Sequence, residues 1–594
     1  MTFQEELIGS LRIHGEKTAI EQGEQQYSYA EILELANAIT RFLLEMRVEP
    51  QSPVGILMDD KFGLICTMIG IANARCIFVP IDHTLPEERI GVMLTDLNLE
   101  CVISSDGLRL PGLSKQFSLD QIRPGNTVAP AELEYPEYDE NDALYIYFTS
   151  GSTGRPKGII GKNCSLLHFI QWEICTFNLD RASRISQLIS PYFDAFLRDL
   201  FAPLLAGGTI CIPPDADDFY SSHRIVSWIG ESRITLIHCV PSIFRFINND
   251  ALTSAHFPAL QYVLLSGEKI IPAELAGWYT LFGDRIQLIN LYGPTETTMV
   301  RTYYRILPSD VHQIRIPVGL PIWGTEILIA KNDLTPCGPL VSGDIYIITP
   351  YASRGYLNNP ELTNERFIKW SKNKIDETIA FKTGDIGREL LNGQIDLIGR
   401  ADRQIKLRGI RIEPEEIERA LFGSGYLRNA IVVHSGEHSI EFLIAFVVRK
   451  EGVPENMDVE SAVEAYIKEK LPKYMIPSRI KEVNAFPVLS NGKVNYNQLL
   501  NDLKVKRIMA PANEIEARVL GIWKEILGEK ALSVEDVFNR VGGDSLAIMK
   551  LIALIYKEFE VRISLQDIFT NMTIKRQAEL INSKILNAKL QFNE

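Results

Sequence analysis

The sequence predicts an α/β protein in three parts: a large N-terminal unit with parallel-type sheets, a small α/β unit, and an all-helical terminal bundle. Three observations carry this. Short apolar, β-branched runs alternate with helical patterns between about residues 28 and 350; among them are VGILM (54–58), CIFVPI (76–81), ALYIYF (143–148), LIHCV (236–240) and QYVLL (261–265). Buried strands separated by helices are the pattern of parallel sheets covered on both faces. Around residues 399–402 the character changes to the charge-dense GRADRQIKLRGIRIEPEEIE, and a smaller α/β pattern follows to about residue 505. Finally, in NEIEARVLGIWKEIL the apolar residues Ile515, Val519, Ile522, Trp523, Ile526 and Leu527 fall on one helical face. A second helical run, SLAIMKLIALIYKEF, begins at Ser545.

Composition bounds the function. Of 594 residues, 46% are hydrophobic and 23% charged, which excludes disorder as the main state. The net charge of −14 disfavours non-specific nucleic-acid binding, which needs a basic surface. The N-terminus MTFQEELIGS lacks the basic-then-apolar order of a secretory signal. The longest apolar stretch, Phe62 to Ala74, meets Arg75 and is too short to span a bilayer, so no membrane partner is expected. Eight cysteines are scattered without a CxxC pair, which suits buried thiols in a reducing cytoplasm better than a zinc or redox site.

Five motifs carry chemistry. TSGSTGRPKG (149–158) follows an apolar strand and offers hydroxyls, glycines and a lysine, the means by which a backbone approaches phosphate oxygens. It is not a Walker A loop. NLYGPTETT (290–298), FKTGDIGR (381–388), GRADRQIKLRGIRIE (399–413) and LSNGKVNY (489–496) follow in that order. Taken locally, each has a plainer reading. The first is a surface turn, Asp385 a turn-closing acid, Glu296 a solvated acid, Arg400 a surface ion-pair partner and Lys493 an exposed lysine. Together and in this order they resemble the signature motifs of the adenylate-forming superfamily. VGGDSLAIMK (541–550), where Ser545 alone reads as a helix N-cap, resembles the phosphopantetheine attachment site of carrier proteins. Over about residues 10 to 585 the chain resembles a nonribosomal peptide synthetase module. The domains expected are an adenylation core (1–401), a mobile C-terminal subdomain (402–506) and a four-helix peptidyl carrier domain (512–588).

The resemblance implies roles residue by residue. ATP would contact Thr149, Ser150, Gly151, Ser152, Thr153, Gly154 and Lys157 in the loop. Gly267, Glu268, Asn290, Tyr292, Gly293 and Thr295 would also line the nucleotide, with Asp385 accepting both ribose hydroxyls and Arg400 beside the phosphates. Glu296 would hold Mg2+, a hard cation suited to a carboxylate oxygen. Lys493, Glu296 and Thr149 would serve catalysis. A substrate carboxylate is already ionised, so activation needs positioned anions and stabilised charge at phosphorus rather than a general base. Asp402 would be the hinge between half-reactions, and Gly409 would pass the thiol arm in the second. Ser545 would carry 4'-phosphopantetheine, attached by a phosphopantetheinyl transferase.

The substrate pocket by the same resemblance is Asp194, Ala195, Arg198, His238, Leu264, Ser266, Leu291, Met299, Val300 and Lys493. Asp194 would anchor an α-ammonium group, making the substrate an α-amino acid. The family's serine pattern, D-V-W-H-L-S-L-I-D-K, is matched except at Ala195, Arg198, Met299 and Val300. L-serine is therefore expected, or a serine derivative with an acidic side chain such as O-phosphoserine, because Arg198 offers a fork of donors to an anion. Arg198 turned away to pair with Asp199 is the plainer alternative. An acyl- or aryl-CoA ligase and a non-catalytic carrier scaffold are the competing functions; Ser545 and Asp194 argue against the first, and intact Lys493, Glu296 and Asp385 against the second. The HHxxxDG motif of a condensation domain is missing. A loading module, a stand-alone loader or an excised piece is expected, handing its product to a downstream condensation or other synthetase domain.

Overall fold

The computed structural model describes the chain except residues 100, 111–114, 123–132, 152–154, 215–221, 250, 332–333, 372–377, 438–439, 488–493, 503–509, 529–531, 542, 544 and 592–594. It divides into two compact units. The first comprises residues 1–151, 155–215 and 226–411, and the second contains 412–594.

The first unit is built on two large sheets of mainly parallel strands. The six-stranded one contains Pro53–Leu57, Ile77–Pro80 and Ala143–Thr149, all parallel, and ends on the antiparallel strand Lys157–Lys162. The nine-stranded one runs in parallel through Arg184–Ser186, Leu236–Cys239, Tyr262–Ser266 and Gln287–Tyr292. Every apolar run singled out in the sequence is thus a strand. The stretch from Phe62 is helix Lys61–Asn73, whose residues from Gly63 onward are all buried, so its uniform hydrophobicity reflects a core position. Among the described residues no helix is long and apolar enough to cross a membrane. A five-stranded sheet carries Thr378–Glu389 beside Ile395–Arg400.

The second unit opens with helix Pro414–Gly423 and the sheet Leu427–Glu437, Ile440–Arg449 and Arg479–Glu482, followed by helices ending in a bundle. In the bundle, helix Glu514–Leu527 is capped by Asn513, whose Oδ1 accepts from the Glu516 amide at 2.8 Å. It buries Val519, Ile522, Trp523, Ile526 and Leu527 as the periodicity predicts, with Ile515 half-buried at its start. Trp523 donates from Nε1 to Gln577 Oε1 at 2.9 Å, satisfying its only polar atom within the core. Helices Ser545–Phe559, Leu565–Thr570 and Ile574–Gln591 complete the four.

The units part after Arg411, ten residues beyond the expected position at 401/402. The reason lies in how residues 402–411 are held by the first unit. Arg400 grips Asp402 through Nε (2.7 Å) and Nη2 (2.8 Å), Arg411 Nη1 donates to Glu296 Oε1 at 2.7 Å, and the Arg411 carbonyl accepts from Ser150 Oγ at 2.7 Å. All eight cysteines are free. Five are buried, but Cys175 is exposed, against the expectation of burial throughout.

Candidate active site

The site begins at strand ends. Thr149 closes strand Ala143–Thr149, opposite Lys157 on the returning strand. Its buried Oγ1 has no hydrogen-bond partner among the described residues. A Cβ at Gly151 would collide with the Arg155 carbonyl, so the loop demands glycine there. Ser152, Thr153 and Gly154 lie outside the described residues, as does Lys493.

Strand Gln287–Tyr292 delivers Asn290, Leu291 and Tyr292 to the same end of the nine-stranded sheet. The Tyr292 hydroxyl donates to Asp385 Oδ2 at 2.6 Å, and Arg400 Nη1 donates to Asp385 Oδ1 at 2.6 Å. Tyr292 is also packed among Val318, Ile345 and Ile347, so its ring serves the core as well as the site. Burial, reinforced by the Asp385 charge, pushes its phenol far above the usual range and keeps it a donor. Asn290 turns to a loop, donating to the Pro317 carbonyl at 2.8 Å. Glu268 accepts from the Ser242 amide (2.8 Å) and hydroxyl (2.9 Å). Gly267 has φ +89°, and a Cβ there would stand 3.3 Å from Gly409 Cα. At Gly409 a Cβ would press on Val240 Cγ1. Gly293 is similarly closed in by the Met299 carbonyl.

Glu296 is fully buried on the turn Thr295–Thr297. Its Oε1 accepts from the Tyr356 hydroxyl and from Arg411, both at 2.7 Å, while Oε2 has no partner among the described residues. Burial raises its carboxyl, but the Arg411 charge and these two hydrogen bonds outweigh that and hold it below the usual range. An ionised, buried carboxylate with one vacant oxygen fits a Mg2+ ligand, since Mg2+ takes one or two carboxylates and completes its shell with phosphates and water. Among the described residues no group of three or more His, Cys, Asp and Glu side chains is placed to hold a metal ion. Arg301 supports this turn by donating to the carbonyls of Thr297 and, at 2.9 Å, Tyr351.

Sheet register brings together residues expected to form the substrate pocket. His238 pairs with Leu264, and Ser266 pairs with Leu291 across parallel strands. Leu264 and Ser266 are two residues apart, so all four side chains share one face. Helix Phe196–Ala206 reaches that face through Arg198, at Ser266, and Asp199, at His238. It starts just after Asp194 and Ala195, and one turn on presents Arg198, which is 1% exposed. Arg198 Nη2 donates to Ser266 Oγ at 3.0 Å, and Nε has no acceptor among the described residues. No described carboxylate lies within ion-pair distance of it, so the outward pairing with Asp199 does not occur. Instead Asp199 Oδ1 stands 2.9 Å from His238 Nδ1, and Glu173 Oε1 stands 3.0 Å from His238 Nε2. Met299 and Val300 are buried in the same hydrophobic cluster as Leu264 and Leu291. Burial raises the Asp194 carboxyl to about 6, with Glu296 adding to the rise and Thr295, the Ala195 amide and Arg198 opposing it.

Sequence reasoning missed Glu173, Tyr356, Arg301 and Arg411. Only Glu173 left a signal: it is an acid among Phe169, Ile170, Trp172 and Phe177 on helix Asn163–Phe177, where a solvated acid has no place. Ser545 opens its helix as expected.

Comparison with known proteins supplies the family. Residues 10–357 match the AMP-binding enzyme model, 416–493 the AMP-binding enzyme C-terminal domain and 517–581 the phosphopantetheine attachment site. The chain is 33% identical over 575 residues to tyrocidine synthase 3 of Brevibacillus parabrevis, covering 95% of this chain and 9% of that protein. It is 31% identical to bacitracin synthase 2 of Bacillus licheniformis, covering 96% of this chain and 21% of that one. It thus spans a small part of these relatives. Among solved structures, holo-PA1221, a protein containing adenylation and carrier domains, superposes with a TM-score of 0.82 at 21% identity, over 98% of this chain and 97% of that one. The o-succinylbenzoate CoA synthetase of Bacillus subtilis superposes with a TM-score of 0.70 at 18% identity, over 84% and 98%. The fold is therefore shared with acyl-CoA ligases. The chain belongs to the AMP-binding enzyme family and carries a phosphopantetheine attachment site domain at residues 517–581.

Proposed function

We propose that this AMP-binding enzyme activates a serine-type amino acid bearing an anionic side chain, O-phosphoserine being the model case, and loads it onto its own carrier domain. The observation that carries the substrate reading is Arg198. A guanidinium 1% exposed, with Nε unpartnered and no described carboxylate within ion-pair distance, has a donor edge free to take an anion. L-serine itself is the second reading, favoured by His238, Leu264, Ser266 and Leu291, which keep the serine pattern on one sheet face.

In this reading Asp194 holds the ammonium group and Lys493 the carboxylate and α-phosphate. Asp385 and Arg400 fix the ribose, while Thr149 and the loop through Lys157 line the triphosphate. The carboxylate attacks the α-phosphorus and pyrophosphate leaves. Glu296 would hold Mg2+, which would supply charge neutralisation at the phosphates. Ser545 would carry the phosphopantetheine arm, whose thiol would take the aminoacyl group with release of AMP; Asp402 would serve as hinge, and Gly409 would leave room for the arm. The domain limits 1–401, 402–506 and 512–588 go with this cycle. A phosphopantetheinyl transferase and a further synthetase domain acting on the carrier are the partners it needs. Eight cysteines outside any disulfide support a cytoplasmic setting.

ATP–pyrophosphate exchange with serine, O-phosphoserine, 2,3-diaminopropionate, threonine, alanine and aspartate tests the reading. A dominant response to O-phosphoserine is expected. Dominance of serine would select the second reading, and silence across the panel would remove both.

A further inference from the structure

The mechanism leaves one buried group of charges unused. Behind Arg198, His238 lies between two carboxylates, Glu173 from helix Asn163–Phe177 and Asp199 from helix Phe196–Ala206. All three side chains are completely buried. None of the four carboxylate oxygens has a hydrogen bond of good geometry among the described residues, so the two acids meet His238 by charge, at 3.0 and 2.9 Å, and neither is fully satisfied. Burial lowers the His238 imidazole, but a carboxylate at ion-pair distance from each ring nitrogen outweighs that and raises it, which favours the imidazolium. The formal charges of Glu173, Asp199, His238 and Arg198 then cancel.

That balance has a consequence for the substrate. A neutral side chain leaves the cluster neutral. An anionic one placed on Arg198 adds a net negative charge to a region without water, which is costly unless a proton follows. The cluster offers that proton a place: Asp199 Oδ2 can accept it without losing a bond. We infer that Glu173, His238 and Asp199 act as a charge compensator for the substrate pocket, so that binding an anionic side chain against Arg198 takes up one proton from solvent onto Asp199. Glu173 and Asp199 are thereby specificity-determining residues that act through Arg198 and His238 rather than by touching substrate. The inference rests on the reading of Arg198 as a pocket residue.

The other titratable groups around the cluster do not compete for this role. Cys239, on the same strand as His238, is buried and kept a neutral thiol. Glu268 is held by the Ser242 amide and hydroxyl. Asp194, with Tyr145 and Tyr147 facing it, serves the ammonium group common to all substrates.

L-Serine O-sulfate is the probe for the test, since its side-chain anion does not titrate between pH 6 and 8 whereas a phosphomonoester does. The quantity measured is the ratio of kcat/KM in pyrophosphate exchange for serine O-sulfate over L-serine, in which Asp194 and ATP titrations cancel. For the full-length wild-type protein the ratio is expected to fall by about tenfold per pH unit above neutrality, the slope of one linked proton. In Glu173→Gln, with one carboxylate charge fewer, the ratio at pH 8 is expected to rise at least tenfold. A wild-type ratio independent of pH, rejection of serine O-sulfate at every pH while serine is used, or an unchanged ratio in Glu173→Gln would each overturn the inference and leave serine activation standing. The wild-type profile needs no variant, so a misfolded Glu173→Gln does not remove the test. Loss of exchange with every amino acid in the wild type would instead bring down the underlying reading of the pocket.

Discussion

The proposed ribose side and the proposed amino-acid side of the site are built on opposite electrostatic plans. At Asp385 both oxygens are engaged, by Tyr292 and Arg400, and Arg400 is further braced by Asp402. At the amino-acid end, buried polar atoms stand open: Asp194 Oδ2, Arg198 Nε, Glu173 Oε2 and Asp199 Oδ2. A closed network is stiff and recognises one invariant partner by fixed geometry. Open charges cost free energy until a ligand satisfies them, and so discriminate among ligands by charge. The contrast fits an enzyme whose nucleotide is constant and whose acid must be chosen.

The sharpest break in that comparison comes from residues that serve neither side alone. Ser545→Ala is expected to abolish thioester loading, read by mass spectrometry of the carrier, while pyrophosphate exchange continues. Lys493→Ala should slow exchange by about 100- to 1,000-fold, as expected on removing a fixed cation from developing charge, with ATP binding less affected by calorimetry. Next in size is the closed network. Asp385→Asn should lower kcat/KM for ATP by about 10- to 100-fold, the scale of a lost charge-assisted hydrogen bond, and leave amino-acid selectivity unchanged. Equal loss for ATP and amino acid would erase the distinction between the two sides.

On the open side, Arg198→Trp should shift preference from O-phosphoserine towards serine by about tenfold or more. The Asp194 carboxyl at about 6 sets the acid limb of the pH profile. Below that pH it is protonated and no longer attracts an ammonium group, so kcat/KM for the amino acid should fall by about tenfold per unit and stay flat above pH 7. The smallest effect lies outside the site. Asn513→Ala removes the cap of the first bundle helix and should destabilise the bundle by about 1 kcal/mol in urea melts, without altering exchange.

Much of this was legible in the residues alone. The strands at 53–57, 143–149 and 236–239, the helix face from Val519 to Leu527, and the glycine at 151 follow from local rules, because strand periodicity, capping and backbone crowding act over a few residues. So do the motif positions, whose order along the chain identifies the chemistry. What escaped was the company those residues keep. Nothing near Arg198 in the chain says that it is buried, or that Asp199 beside it turns to His238 instead. Glu173 meets His238 across 65 positions, and Glu296 meets Arg411 across 115. The hinge segment shows the same limit: its residues were plain, but their attachment to Ser150 and Glu296 was not.

By itself, then, the sequence determined the three-part α/β and helical plan, the order of the chemical motifs and the positions where only glycine fits. The tertiary structure alone decided which charges are closed and which open, because the energy of a buried charge depends on partners and on excluded water, and both are set by packing between distant segments.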